Sequence, residues 1–257
     1  MTTLMILMPT SGQIDTPAVH SLLGLTQALP RHGIPFALKT YEWSDLVISR
    51  NYLMSVFLAD KKFSHALLLD SDMSYHPQVF FDCLAFDADF TCAPYPQRRM
   101  QWAKLRALIE REAAKPEGER VSTDKLLAES LRYNIPEVFD AGQPWPYEVR
   151  DGFRKVPGAG TGFMLIRRAV PERMVASGAA LPVPGFNGPG YPGADFHDFF
   201  SHLRGRNGQV MHGEDTSFCR RWIGCGGEIW CHETAKITHH GDLAYPGDYA
   251  LAPKPLG

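Results

Sequence analysis

The sequence predicts an α/β fold with a mainly parallel central sheet flanked by helices, and three observations carry that expectation. Apolar runs of strand length, such as Leu4 to Met8 and His65 to Leu69, alternate with segments of helical periodicity through the first hundred residues, as in successive βαβ units. Turn residues follow the first run, and an aspartate follows the second directly, at the strand ends where such sheets bind ligands. The chain has 257 residues, 44% of them hydrophobic and 21% charged, enough for one large core with no linker or internal repeat to divide it.

Taken in order, Leu4 to Met8 is a buried first strand closed by Pro9-Thr10-Ser11-Gly12. Thr16 is placed to cap the next helix, with Pro17 in its first turn, Val19, Leu22, Leu23 and Leu29 at helical spacing, and Gly33 at its end. Phe36 to Tyr41 forms a second strand, 45–60 a helix, and His65 to Leu69 a third strand running into Asp70. A short helix over 77–86 and a strand over 90–93 follow. Residues 98–132 carry nine Lys/Arg and six Asp/Glu, so they read as one or two solvated helices with a local charge of +3. An insertion covering about 98–155 is expected within a single domain spanning 1–257. Beyond it, 162–166 is an apolar strand, 170–175 a short helix, 214–222 a helix, and 228–231 and 235–238 strands. The Gly/Pro-rich stretch 182–195 fits neither periodicity and reads as a loop carrying the aromatic residues Phe186 and Tyr191.

Composition excludes several classes. With 26 Lys+Arg against 28 Asp+Glu the formal charge is −2, so no whole-chain field draws the protein to nucleic acid or anionic membrane. Cys83, Cys92, Cys219, Cys225 and Cys231 lack the spacing of a disulfide framework or a common zinc site. The 23 glycines and 20 prolines exceed the roughly 12% of an average chain and point to shaped loops. No run reaches the roughly 18 apolar residues of a membrane span and no signal segment is evident, so the expected location is the cytoplasm, with peripheral attachment to a membrane left open.

The most informative stretch is Leu67-Leu68-Leu69-Asp70-Ser71-Asp72, where a buried strand ends in two carboxylates on alternate residues. Held together, they repel unless a cation lies beside them, and hard oxygen ligands suit Mg2+ or Mn2+. The plain alternative is that Asp70 and Ser71 cap a turn.

This stretch resembles the DxD motif of nucleotide-sugar glycosyltransferases with the GT-A fold, and the chain is most similar in pattern to family-2-like and mannan-polymerase-like members. Other segments match in order: Ser49-Arg50-Asn51 on the preceding helix, Val156 to Ile166 with its glycine-bearing turn, Gly213-Glu214-Asp215 opening a helix, and Thr238-His239-His240-Gly241. The resemblance implies a GT-A (Rossmann-like) fold, a nucleoside-diphosphate sugar (UDP or GDP) as donor, and a Mn2+ or Mg2+ cofactor. It implies Asp72 as direct metal ligand, Asp70 at the ribose or a metal-bound water, and His239 as the late ligand, with His240 in its place if the register differs by one. Arg50 and Asn51 are expected near the donor, and Gly160 in the turn beneath the acceptor side.

Pro9, Thr10 and Ser71 lie at strand ends where backbone groups meet a nucleotide. Arg50 suits a phosphate, because guanidinium forms bidentate charge-assisted bonds. Glu214 and Asp215 are the acid-base candidates: a carboxylate in a first helical turn is favoured in its charged form, and an inverting transferase needs a base at the acceptor hydroxyl. In a retaining enzyme Asp215 would instead orient the acceptor. Trp145 is a candidate for the acceptor cleft and Trp222 for the core. The acceptor classes open to the sequence are a glycan, a lipid-linked sugar and a modified DNA base. Rival readings are a nucleotidyl or sugar-1-phosphate transferase, disfavoured because Met8 to Gln13 lacks a basic residue, and a non-catalytic glycan- or nucleic-acid-binding module.

Overall fold

The computed structural model describes residues 1–136, 148–186, 196–205, 208 and 211–252. Its first half alternates as β1 (Leu4–Thr10), α1 (Thr16–Arg31), β2 (Phe36–Glu42), α2 (Leu46–Ala59), β3 (His65–Leu69), β4 (Met73–Tyr75), α3 (Gln78–Ala85) and β5 (Phe90–Cys92). Then come β6 (Pro96–Met100), α4 (Trp102–Ala113), α5 (Thr123–Ser130) and β7 (Leu131–Tyr133), followed by β8 (Val149–Arg150), β9 (Phe153–Lys155), β10 (Phe163–Arg167) and α6 (Ala169–Ala176). The chain continues through β11 (Leu181–Pro182), β12 (His197–Asp198), α7 (Glu214–Gly224), β13 (Trp230–His232), β14 (Ile237–His239) and β15 (Tyr245–Pro246).

The predicted fold class is the one observed. An eight-stranded sheet of order β2-β1-β3-β10-β5-β13-β9-β8 lies between helices, and within it only β9 and β10 run against the other strands. Alternation along the strands builds both faces. Met5, Leu7, Leu68, Met164 and Ile166 pack with Leu53 and Phe57 of α2 and Phe218 and Trp222 of α7. Leu4, Ile6, Met8, Leu67, Leu69, Phe163 and Leu165 pack on the other side with Leu22, Leu25 and Leu29 of α1 and Phe80 of α3. Burial on both faces is why β1, β3 and β10 are continuous apolar runs rather than alternating ones.

Two features of topology create the site. The chain leaves β1 for β2 on one side and returns to β3 on the other, which opens a crevice at the carboxyl ends of β1 and β3. β10 runs antiparallel to β3, with Phe163 opposite Leu69, so its lead-in at Gly160 to Gly162 arrives beside Asp70. A second small sheet, β15-β14-β4, pairs His239 with Met73 and lays β14 next to Asp72.

Several expectations are corrected in detail. Asp15, not Thr16, occupies the capping position of α1, and its side chain makes no capping bond. The 98–132 segment, expected to hold one or two helices, contains two, but β6 and β7 pair antiparallel around them, which a charge-rich segment without alternation did not signal. The end of the expected insertion belongs to the central sheet: β8 and β9 form its far edge, joined by Asp151 (φ 48°) and Gly152 (φ 78°). Asp-Gly is a strong two-residue hairpin signal, which the sequence reading passed over. Trp222 is buried, with its indole N–H donating to the Glu228 carbonyl at 2.9 Å, as its helical spacing predicted.

Asn51 has a structural job. Its amide oxygen accepts from the backbone N–H of Phe199 (2.8 Å) and Phe200 (2.9 Å), and its amide nitrogen donates to Asp198 at 3.0 Å. Both ends of the side chain are thus committed to the end of β12 and the two residues after it. Asn51→Leu should strand two buried N–H groups and cost about 2–6 kcal/mol, at about 1–3 kcal/mol per unsatisfied group, read as a lowered urea midpoint with unchanged slope. An unchanged midpoint would show that this segment does not depend on Asn51.

Candidate active site

Arg50 sits at the centre of the acidic cluster. It projects from α2, is 6% exposed, and donates to Glu214 Oε1 at 2.6 Å and to Asp70 Oδ1 at 3.0 Å. One guanidinium therefore ties the end of β3 to the start of α7. Burial pulls its pKa down, but the charges of Asp70 and Glu214 more than offset this and hold it above its ordinary value. The side chain expected to meet a phosphate is thus occupied by two protein carboxylates.

The two acids of the Asp-Ser-Asp stretch part company. Asp70 turns to Arg50, so the cation beside it is the guanidinium. Asp72 turns to β14: its Oδ2 lies 3.3 Å from His239 Nε2 and 3.3 Å from an Arg98 terminal nitrogen. Its Oδ1 is buried with no hydrogen-bond partner among the described residues. Burial raises the Asp72 carboxyl, but the hydrogen bond and charge of His239 and the charge of Arg98 outweigh it, leaving its pKa below the ordinary value.

Geometry separates the two histidines. His239 Nδ1 lies 2.8 Å from the Pro96 carbonyl, which can only accept, so Nδ1 carries a proton and the ring presents Nε2 to Asp72. A carbonyl behind the imidazole is the arrangement that orients a metal-binding histidine. His240 Nε2 instead meets the Ser74 hydroxyl at 2.7 Å. No group of three or more His, Cys, Asp or Glu suited to a metal occurs among the described residues. The Asp72 and His239 pair fits an ion that takes its other ligands from diphosphate and water, the usual habit of Mg2+.

Asp215 stands at the first turn of α7 and lines a cleft of about 700 Å3 with Thr216, Ala159 and residues of β6, α4 and β7. Its Oδ1 accepts from the Thr216 N–H at 2.6 Å. The helix terminus was expected to keep this carboxylate charged, yet its pKa is raised. Burial is the largest cause and the charge of Glu214 the next; the Thr216 N–H and Arg50 act in the opposite direction. A helix terminus contributes only about 0.3–1 kcal/mol, less than removal from water costs.

Of the remaining predicted residues, Pro9 lines a cavity of about 10 Å3 with Arg50, Asp70 and Thr161. Thr10 ends β1 opposite Glu42, and the Ser71 carbonyl accepts from the Asp15 N–H at 3.0 Å. Gly160 and Gly162 are fixed by a residue that the sequence reading missed. The buried Tyr95 hydroxyl accepts from the Gly162 N–H at 3.0 Å, and a Cβ at Gly160 would lie 2.1 Å from that hydroxyl oxygen. No spacing rule singles out Tyr95; Arg98 was visible only as part of a basic stretch. Phe186 stacks on Phe196 with centroids 3.8 Å apart, and Trp145 and Tyr191 lie outside the described residues.

No family model matches the chain, and no curated protein matches it. Solved structures with a similar chain path include A197 from STIV, at 16% identity over 96% of this chain and 95% of that one, with a TM-score of 0.48. A Drosophila β-1,4-galactosyltransferase 7 mutant in complex with manganese, UDP-Gal and xylobiose matches at 12% identity over 95% and 70%, with a TM-score of 0.42. GalNAc-T7 with UDP, GalNAc and Mn2+ matches at 12% identity over 93% and 43%, with a TM-score of 0.45. No helix among the described residues is long and apolar enough to cross a membrane.

Replacing Arg50 with Met leaves Asp70 and Glu214 partly buried without their cation. Breaking such a pair costs about 3–5 kcal/mol, so Arg50→Met should lower the urea midpoint strongly, whereas exposed Arg106→Met should barely move it. Equal effects would remove Arg50 from its central place.

Proposed function

We propose that the chain is a metal-dependent glycosyltransferase of the GT-A type, moving a sugar from a UDP- or GDP-linked donor to an acceptor hydroxyl with inversion. One observation carries the reading: Asp72 holds a buried, unpartnered oxygen beside a carbonyl-anchored histidine, at the strand end where the topology opens a crevice. Leaving such an oxygen unsatisfied costs about 1–3 kcal/mol, which a bound cation would recover.

Asp72 and His239 are the protein ligands in this reading. The ion supplies Lewis-acid stabilisation of the charge that grows on the departing diphosphate. Asp70 is held by Arg50 and faces the donor from the end of β3. Glu214 is held by the same guanidinium and fixes the first turn of α7, so Asp215 is presented to the cleft from a tethered helix. There Asp215 accepts the proton of the acceptor hydroxyl as the acceptor oxygen bonds to the anomeric carbon and the bond from that carbon to the diphosphate oxygen breaks. Its raised pKa suits this role, since a base works best with a pKa near the working pH. Tyr95, packed on Gly160 and Gly162, keeps the floor between the two halves flat.

Two measurements test the reading. UDP or GDP with Mn2+ should raise the melting temperature of the intact protein, and the rise should vanish in Asp72→Ala and His239→Ala but persist in His240→Ala. An equal rise in Asp72→Ala would overturn the metal assignment. Asp215→Asn should lower kcat by about 10²–10⁴-fold while leaving nucleotide binding intact.

The pH dependence follows from the sign of the shift. A carboxyl with a raised folded-state pKa binds its proton more tightly in the folded protein, so its ionisation destabilises the fold as pH rises through that value. Activity should therefore fall on the acid side at a pH above the ordinary aspartate value. At neutral pH, Asp215→Asn should therefore melt at a higher temperature than the parent chain. A lower melting temperature would show that the charged carboxylate supports the fold.

A further inference from the structure

The cleft beside Asp215 has an electrostatic character that the transfer chemistry alone does not require. Gln97 from β6, Gln101 before α4, Lys104 from α4, Arg132 from β7 and Asn134 after it all line it with Asp215. Among the described residues none of these five side chains has a hydrogen bond, ion pair or ring contact. Of the other cations in 98–132, Arg106 pairs with Glu110, Arg111 with Glu112 and Glu129, and Lys115 with Glu112, whereas Arg99, Arg120 and Lys125 also lack a carboxylate among the described residues but do not line the cleft. Lys104 and Arg132 face the cleft without a carboxylate, and the acid that lines it is Asp215.

Concave walls of low dielectric focus the field of such charges and favour an anion between them. Arg and Lys bind carboxylate and phosphate through charge-assisted bonds about twice as strong as neutral ones, and amides add donors without adding charge. A neutral saccharide would satisfy the three amides and leave both cations facing uncharged oxygen.

We propose that the acceptor is an anionic saccharide, bearing phosphate or carboxylate, whose charged group lies against Lys104 and Arg132 while its hydroxyl meets Asp215. This rests on Asp215 being the base of the transfer. The anion preference itself can be measured without turnover. The two cations also stand on different elements from Asp72 and His239, neither of which lines this cleft.

The experiment uses the full chain with Mn2+ and UDP, titrated with glucose 6-phosphate, glucuronate and glucose, with binding followed by calorimetry. The two anionic sugars should bind about tenfold or more tightly than glucose, a preference of roughly 1.4 kcal/mol that falls with added salt. Lys104→Gln/Arg132→Gln should abolish that preference while leaving UDP·Mn2+ affinity and melting temperature unchanged, with Arg132→Gln alone reducing it. Equal binding of glucose, or a preserved preference in the double variant, would overturn the proposal; so would a loss of UDP·Mn2+ affinity, which would assign the cations to the donor. Persistence of UDP·Mn2+ binding in Asp72→Ala would instead count against the metal assignment and leave the anion preference standing.

Discussion

The buried guanidinium of Arg50 is the interaction on which the site depends. Two carboxylates from distant parts of the chain, Asp70 at the end of β3 and Glu214 at the start of α7, approach each other because this one cation lies between them. Without it their mutual repulsion and desolvation would push the two elements apart. With it, α7 is docked by its amino terminus, and the position of Asp215 follows from that of Glu214. The geometry of the proposed base is thus set from a residue on α2 that need not touch substrate.

The sheet supplies the rigid frame for this contact. β1, β3 and β10 are covered on both faces, so their ends are fixed by packing against α1 and α3 on one side and α2, α6 and α7 on the other. Running β10 backwards between β3 and β5 costs nothing in hydrogen bonding and brings Gly160 and Gly162 to the same edge as Asp70. Tyr95 fills the space that those glycines leave, and its ring also meets the His239 ring edge-on at 5.4 Å. The glycine turn and His239 share one wall.

Local signals were readable wherever a residue's environment was set by near neighbours in sequence. β3, α3 and α2 fell almost at their expected bounds because apolar runs and flanking Asp or Pro residues mark them. β4, β6 and β7 are only three to five residues long and exist through pairing with distant segments, which no periodicity encodes. The site divided in the same way. Asp72, His239 and Asp215 were legible through ordered motifs, and the structure brings Asp72 and His239 together. The sharing of Arg50 between two acids, the diversion of Asn51 to backbone near Phe199, and the roles of Tyr95 and Arg98 depend on contacts between segments far apart in the chain. Asp215 shows the limit most clearly: its helix position was read correctly, but its burial, which decides the direction of the pKa shift, comes from elements that sequence spacing does not place around it.

Charge balance links the proposed donor end of the site to its cleft. Asp70, Asp72, Glu214 and Asp215 confront Arg50 and Arg98, so the carboxylates outnumber the guanidinium groups. Arg98 is about half exposed and shares Asp72 Oδ2 with His239, so it screens that oxygen only partly and leaves the buried Oδ1 untouched. A diphosphate approaching this end alone would meet an excess of like charge; arriving with a divalent cation, it would not. The cations on β7 and α4 are set away from this balance, where they neither neutralise Asp72 nor lower the basicity of Asp215 by direct pairing. A site that needs an ion at one end and a basic residue at the other can keep unpaired Lys and Arg only on a separate wall, and the segment carrying α4, α5, β6 and β7 provides it.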